Sequence, residues 1–358
     1  MQQNSANFNL SWNSHENYWL CFVLPEEDTQ HKLEKSFKDK GVITAYLDPT
    51  CFAVYSFNDW AINWATLRDA LTKNNYNNCK IAIITAQKNR PSMNDVLMNL
   101  ESIEKIDMIA ENLWLGDAIL NSRIECHFQP IIDRSSEPFG YEAFARVRLE
   151  NGELIGGAKI IKAARDMNIE HVLDKYLHIL AIRTFAEARL PGNLFINFMA
   201  GFIQLPAKYL EGLTDAVQHY NLLAKRIVLD VSDAESVHDL NQISAIIDFC
   251  NSKGYTVALD DINSLNSLKN ILSKLKSLPD FIKLDRKLTQ LATDPKLARE
   301  ILNLTELAHQ KGSVILAEGI ETNEVYEALK KSGIDLFQGY YISAPKPVSE
   351  IKDMKKAV

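Results

Sequence analysis

From residue 125 onward the sequence repeats one alternation: a short apolar run of strand length, then a stretch with apolar residues at helical spacing. The runs are CHFQPIID, YEAFARV, LFINF, RIVLDV, TVALDD, FIKLD, VILAEGI and LFQGYYI. Between two of them, Leu240, Ile243, Ile246, Ile247 and Cys250 share one helical face. Pro295 suits a helix start and Gly312 a helix stop, with Leu297, Ile301, Leu304 and Ala308 between them. Thr322 is placed to cap a further helix that Gly333 ends. Apolar strands alternating with amphipathic helices imply an α/β chain whose parallel sheet is covered on the outside. Eight such strands imply a (β/α)8 TIM-like barrel.

The segment before it differs in composition. All five tryptophans lie in the first 114 residues. This shift predicts two domains, residues 1–118 and 119–358. WLCFVL (19–24), TAYL (44–47), CFAVYSF (51–57) and KIAIITA (80–86) read as strands. A helical stretch, TQHKLEKSFKDKG, follows the first, and Trp60, Trp64, Leu67 and Leu71 mark the buried face of another before the last. A βαββαβ order suggests a small α+β ferredoxin-like sandwich with Trp60 and Trp64 buried. LDPTCFAV sits where a GGDEF-type diguanylate cyclase places its signature hairpin, but Asp48 is the one acidic residue there. That resemblance implies a regulatory domain without cyclase activity.

The net charge of −7 argues against a nucleic-acid polymer as partner, because such binding needs a positive field. No apolar run approaches the roughly 20 residues of a membrane helix. The N-terminal stretch lacks the basic start and apolar core of a secretion signal. Cys21, Cys51, Cys79, Cys126 and Cys250 form no CxxC pair and read as free buried thiols. A cytoplasmic location with no membrane partner is expected.

The polar exceptions inside the strands point to chemistry. Asn197, Asp230, Asp260 with Asp261, Lys283 with Asp285, Glu318 with Glu321, and Gln338 fall at or near the C-terminal ends of successive runs. That is the face on which barrels carry active sites. One polar group at a strand end is an ordinary helix cap, and Asp285 reads as such a structural partner. Strand after strand ending this way is not explained by caps. Carboxylates gathered on one rim repel each other unless cations sit among them. With oxygen donors and no histidine or cysteine at any strand end, the set suits Mg2+ or Mn2+ rather than zinc.

In order along the chain, FQPI (128–131), YEAFAR (141–146), LFINF, LDVSDAES, ALDDINSL, FIKLD, AEGIE and QGYYISAP resemble the motifs of EAL-domain phosphodiesterases, which hydrolyse the bacterial messenger cyclic di-GMP. The resemblance runs from about Cys126 to Pro347. It implies a two-metal site, with Glu142, Asn197, Asp230 and Asp260 on one metal and Asp260, Asp261 and Glu318 on the second. It further implies that Lys283 holds the attacking water and helps it deprotonate. Gln338 and Glu321 would orient ligands and water, and Gln129 and Arg146 would contact substrate. As plain chemistry, Arg146 also fits a rim salt bridge.

Two departures stand out. Family members continue the paired aspartates with DFGTGYSSL or close to it, whereas DINSLNSL is one residue shorter and lacks both glycines. The backbone angles that glycine allows fall at a cost on Ile262, Asn263 or Leu265. Asp230 and Asp233 stand where the family carries glutamates, one methylene longer. The resemblance therefore implies a metal-dependent phosphodiesterase yielding the linear dinucleotide pGpG. The alternative is an inactive EAL domain serving as a cyclic di-GMP receptor or protein-docking module. A barrel enzyme for another phosphorylated metabolite is a third class. A homodimer through the barrel domain or a protein partner is compatible with either of the first two.

Overall fold

The computed structural model describes residues 18–24, 26–56, 66–67, 79–85, 90–199, 206–232 and 240–354. Two compact units form, residues 1–122 with 161–168 and residues 123–160 with 169–358. Trp60, Trp64, Leu71 and Asp233 lie outside the described residues.

In the first unit, strands β1 (Tyr18–Val23), β2 (Ile43–Asp48), β3 (Cys51–Ser56), β4 (Lys80–Thr85) and β5 (Leu100–Ser102) form one sheet in the order β2-β3-β1-β4-β5. Each neighbouring pair is antiparallel. Alternation along β1 sends Leu20 and Phe22 to one face and Cys21 to the other. Leu33 and Phe37 from the helix Glu27–Lys38 cover the first face, where Phe22 stacks on Phe37 and Phe52 at 5.9 Å each. Asp48 is spent on its own turn: its Oδ1 accepts from the Thr50 amide at 2.6 Å and the Thr50 hydroxyl at 2.8 Å.

In the second unit, eight strands close a barrel. They are β6 (Ile124–Asp133), β7 (Pro138–Arg148), β9 (Asn193–Met199), β10 (Ile227–Ser232), β11 (Thr256–Ile262), β12 (Phe281–Leu284), β13 (Val314–Ala317) and β14 (Leu336–Phe337). Two short strands, β8 (Leu154–Gly156) and β15 (Lys346–Pro347), pair outside the ring with β7 and β6. All eight runs picked out in the sequence are barrel strands, but the expected all-parallel sheet is corrected at one of them. β6 runs antiparallel to both its neighbours, β7 and β14. The cause is local. A tight turn joins β6 to β7, with Asp133 Oδ1 accepting from the amides of Ser135 at 2.8 Å and Glu137 at 3.0 Å. A hairpin can only pair antiparallel, since a parallel partner needs a crossover.

Helices Glu170–Ala188, Pro206–His219, Leu240–Ser252, Leu265–Lys274, Pro295–Gln310 and Asn323–Lys331 alternate with the later strands. Their starts follow capping chemistry. Asp294 accepts from the amides of Lys296 and Leu297 before Pro295 at the first turn, and Thr322 accepts from Val325. Ile243, Ile246, Ile247 and Cys250 are buried against the barrel's outer surface, as are Ile301, Leu304 and Ala308. All five cysteines are free, and burial raises the pKa of each thiol.

Candidate active site

Residues two apart on a strand share a face, and this alternation builds the site. An apolar plug of Ile131, Phe195, Val228, Ala258, Phe281, Leu316 and Leu336 packs as one cluster. Two residues further along β9 to β14, the same faces carry Asn197, Asp230, Asp260, Lys283, Glu318 and Gln338. β6 runs the other way, so Gln129 stands two residues before Ile131. It pairs in register with Glu142 on β7, which lies beside Phe195 of β9. The polar set is thus a second layer stacked on an apolar one.

Lys283 stands at its centre, completely buried. Its Nζ lies 2.7 Å from Glu318 Oε1, 3.3 Å from Asp260 Oδ2 and 3.4 Å from Glu142 Oε2, and contacts Asp230 Oδ2 most closely of all. Glu142 is the second hub. Its Oε2 accepts from Gln338 Nε2 at 2.7 Å and its Oε1 from Asn197 Nδ2 at 3.2 Å. Gln338 Nε2 also donates to Gln129 Oε1 at 3.0 Å, and Gln129 Nε2 donates to the Ser343 carbonyl at 2.9 Å. Two glycines let the rim close over this layer. Gly319 takes φ +62° against Arg286, and a Cβ on Gly339 would meet the Ile320 backbone at 2.1 Å.

One ammonium cannot neutralise four carboxylates. Burial, reinforced by Asp260, pushes the Asp230 carboxyl well above the ordinary range, and burial with the neighbouring acids does the same to Glu318. Burial opposes the charge on Lys283, yet the ring of carboxylates holds its pKa well above that of a free lysine. Two buried acceptors, Asp230 Oδ1 and Gln338 Oε1, have no hydrogen-bond partner. A cluster this rich in oxygen donors, negative charge and unanswered acceptors fits a hard divalent cation. Among the described residues no three acidic, histidine or cysteine side chains are already arranged around a metal-sized point. The Lys283 ammonium sits where the carboxylates converge.

Eight of the eleven residues singled out in the sequence meet in this network: Gln129, Glu142, Asn197, Asp230, Asp260, Lys283, Glu318 and Gln338. The other three stand at its edge. Asp261 is exposed, and its amide donates to Asp260 Oδ1 at 2.8 Å. Glu321, 43% exposed, pairs with Arg286 at 2.9 Å. Arg146 donates to the Ala145 carbonyl at 2.8 Å and lies 5.8 Å from the Phe144 ring. Asp285 caps its helix through the Lys287 amide at 2.9 Å.

At the shortened loop, among the described residues from 261 to 268, the left-handed angle falls on Asp261, at φ 62°. There the pairing of β11 with β12 shifts register between Leu259 and Ile262. Ile262 then returns to the core, and Ser264 starts the next helix at once by accepting from the Ser267 amide at 3.1 Å. Asp230, one methylene short, reaches Lys283 instead of leaving a gap.

His178 escaped the sequence reading. It is buried on the helix Glu170–Ala188, 2.9 Å from the Asn197 carbonyl, 3.5 Å from Asp174 and stacked on Phe198. Its one visible signal was the i,i+4 spacing of Asp174 and His178 within an apolar helix.

Fold and cluster define a TIM-like barrel protein with an acidic, lysine-centred interior. Residues 113–345 match the EAL domain, and the chain belongs to the EAL family. It is 22% identical over 277 residues to the cyclic di-GMP phosphodiesterase PdeF of Escherichia coli, covering 75% of this chain and 36% of that protein. It is 31% identical over 161 residues to the phosphodiesterase PdeL of the same organism, covering 44% of each. The chain thus spans less than half the length of these relatives. Among solved structures, a standalone EAL protein of Vibrio cholerae bound to cyclic di-GMP is 28% identical with a TM-score of 0.55, covering 63% of this chain and 93% of that one. The FimX EAL domain of Xanthomonas citri, also in complex with cyclic di-GMP, superposes with a TM-score of 0.59 at 20% identity, covering 68% and 95%. Among the described residues no helix is long and apolar enough to cross a membrane.

Proposed function

We propose that the barrel hydrolyses cyclic di-GMP to linear pGpG in a reaction that depends on Mg2+ or Mn2+. The observation that carries this reading is the convergence of Glu142, Asp230, Asp260 and Glu318 on Lys283 inside the barrel. A structural barrel gains nothing from burying four carboxylates around one ammonium, because an apolar layer of equal volume is no less stable. The named activities of the relatives agree with it.

Glu142, Asn197, Asp260 and Glu318, with Asp230 and Asp261 as the further family positions, would hold the cation. When bound, it supplies Lewis-acid polarisation of the phosphodiester and activation of water. Ringed by four carboxylates, Lys283 serves as an ammonium donor and not as a base. It orients the attacking water and stabilises the negative charge that develops as one proton leaves to a neighbouring carboxylate. That proton returns to the ribose oxygen released when one P–O bond breaks. Gln338 holds Glu142, and Gln129 holds Gln338, so the acid cannot swing away when charge moves. Arg146 would turn its guanidinium fork to a phosphate. Glu321 would leave Arg286 to orient water.

The receptor reading is favoured by Asp261, whose exposed side chain and left-handed backbone set it apart from Asp260. One experiment separates the two. The purified chain is incubated with cyclic di-GMP and Mn2+, products are resolved by chromatography, and binding is titrated in Ca2+ in parallel. Linear pGpG that disappears in Glu142→Gln supports the enzyme. Cyclic dinucleotide bound but unchanged identifies a receptor.

A further inference from the structure

We propose that His178, backed by Asp174, is a positioning residue. From the helix Glu170–Ala188 it fixes the peptide of Asn197, and so aims the Asn197 amide at the cation site beside Glu142. This deepens the functional reading and rests on it only in treating Asn197 as a donor to a divalent ion.

The first argument is place. β10 accompanies β9 as far as Met199, but the pairing of β7 with β9 ends at Glu142 and Phe195. From Arg146 onward β7 pairs with β8 instead. Asn197 therefore stands just past the point where β9 loses one neighbour, and its carbonyl meets His178 Nε2 at 2.9 Å. Its side chain is exposed, so its aim depends on its own peptide more than on packing. The amide nitrogen donates to Glu142 Oε1 at 3.2 Å, which makes the amide oxygen the atom a cation would take. Only two torsions join that oxygen to the Cα, and a peptide that turns carries it along.

The second argument is rigidity. His178 is 3% exposed, and its ring stacks on the fully buried Phe198 with centroids 6.3 Å apart and planes 14° apart. A carbonyl oxygen only accepts, so Nε2 carries the proton. Asp174 Oδ1 lies 3.5 Å from the same nitrogen, one helical turn away, and favours the proton there. The donor is thus fixed in both place and tautomer.

The third argument is cost. The same helix otherwise buries Leu173, Ala181, Ile182 and Phe185 against the barrel. Asp174 is 5% exposed among them, and its Oδ2 is buried without a hydrogen-bond partner. An acceptor left so is expensive, and apolar residues of similar volume would pack this helix at least as well. The pair is accounted for by the one backbone group it reaches, the carbonyl of a candidate ligand.

The test is a calorimetric Mn2+ titration of the metal-free full chain and three variants at His178. His178→Leu fills the space without a donor and should lower Mn2+ affinity at least about tenfold, the loss typical when a partner of a metal ligand is removed. His178→Gln can place an N–H where Nε2 stood and should stay within about threefold of the unaltered chain, well short of that loss. His178→Asn is polar but too short to reach the carbonyl, and should fall with His178→Leu. If the leucine variant does not fold, the contrast of asparagine with glutamine decides. A merely structural histidine would shift the urea midpoints and leave the affinities of the folded variants equal. That equality, a glutamine loss as large as the asparagine loss, or no Mn2+ bound by the unaltered chain would overturn the proposal. Turnover of cyclic di-GMP on the same preparations keeps the two readings apart. Turnover with equal affinities sinks this inference and leaves the enzyme standing, whereas the expected order of affinities with no turnover does the reverse.

Discussion

Lys283 lies on β12 and Glu321 in the turn after the neighbouring strand β13. Lys283 is sealed among four carboxylates, whereas Glu321 is 43% exposed and held by the similarly exposed Arg286. The same contrast separates Asp260, 8% exposed, from its neighbour Asp261. The deep layer is fixed by strand register: once Val228, Ala258 and Phe281 plug the barrel, Asp230, Asp260 and Lys283 must follow on the same face. The rim is fixed only by turns, and turns change length and chemistry without disturbing the barrel. A chain can therefore keep the deep layer intact while its rim drifts.

Four substitutions or titrations would break or sharpen that contrast. The largest effect is expected for Lys283→Met, which leaves four carboxylates without their counter-charge and should cost about 3–5 kcal/mol in urea unfolding. The loss should shrink on acidification. A cost near that of a surface change would mean that the deep layer is not electrostatically closed. Next comes pH. Asp230 and Glu318 have folded pKa values raised above their unfolded ones, so the folded state binds more protons between the two. The metal-free protein should be most stable below the ordinary carboxylate range of about 4, as far as these two groups decide it, and should lose stability as pH rises above it. Glu318→Gln should flatten that decline in a series of thermal melts. A metal-free profile that climbs over the same window would contradict the assigned directions.

A smaller effect is expected at the rim. Asp261→Gly relieves the left-handed angle and should be neutral or stabilising by up to about 1 kcal/mol. A loss comparable to that of Lys283→Met would show that Asp261 belongs to the deep layer. The smallest is Arg286→Ala, which removes an exposed ion pair and should change stability by no more than about 1 kcal/mol. Its informative readout is the rate with cyclic di-GMP, where freeing Glu321 should not lower turnover.

Much of this was legible in the sequence because period two is a strong signal. VALDD, IVLD and FIKLD each carry an inward polar residue two positions after an inward apolar one, and the barrel places all three together. The reversed direction of β6 was not legible, since CHFQPIID reads the same in either direction and only the tight turn at 134–137 decides it. His178 was hidden because a histidine on a helix gives no hint of which strand carbonyl it will meet. The left-handed angle at Asp261 was not legible either: it lies where the pairing of β11 shifts register, and Asp tolerates that region better than Ile or Leu. The roles of Arg146 and Glu321 came from resemblance alone, and each side chain here serves a local partner.

The central claim is that the deep layer is competent and the rim limits it. The most direct measurement replaces residues 261–268 by DFGTGYSSL and compares initial rates of cyclic di-GMP hydrolysis in Mn2+ with those of the unaltered chain. The account predicts a low rate for the unaltered chain and a higher one for the graft, both abolished by Glu142→Gln. A graft that stays at background while the dinucleotide still binds tightly would contradict it, and would make the barrel a receptor.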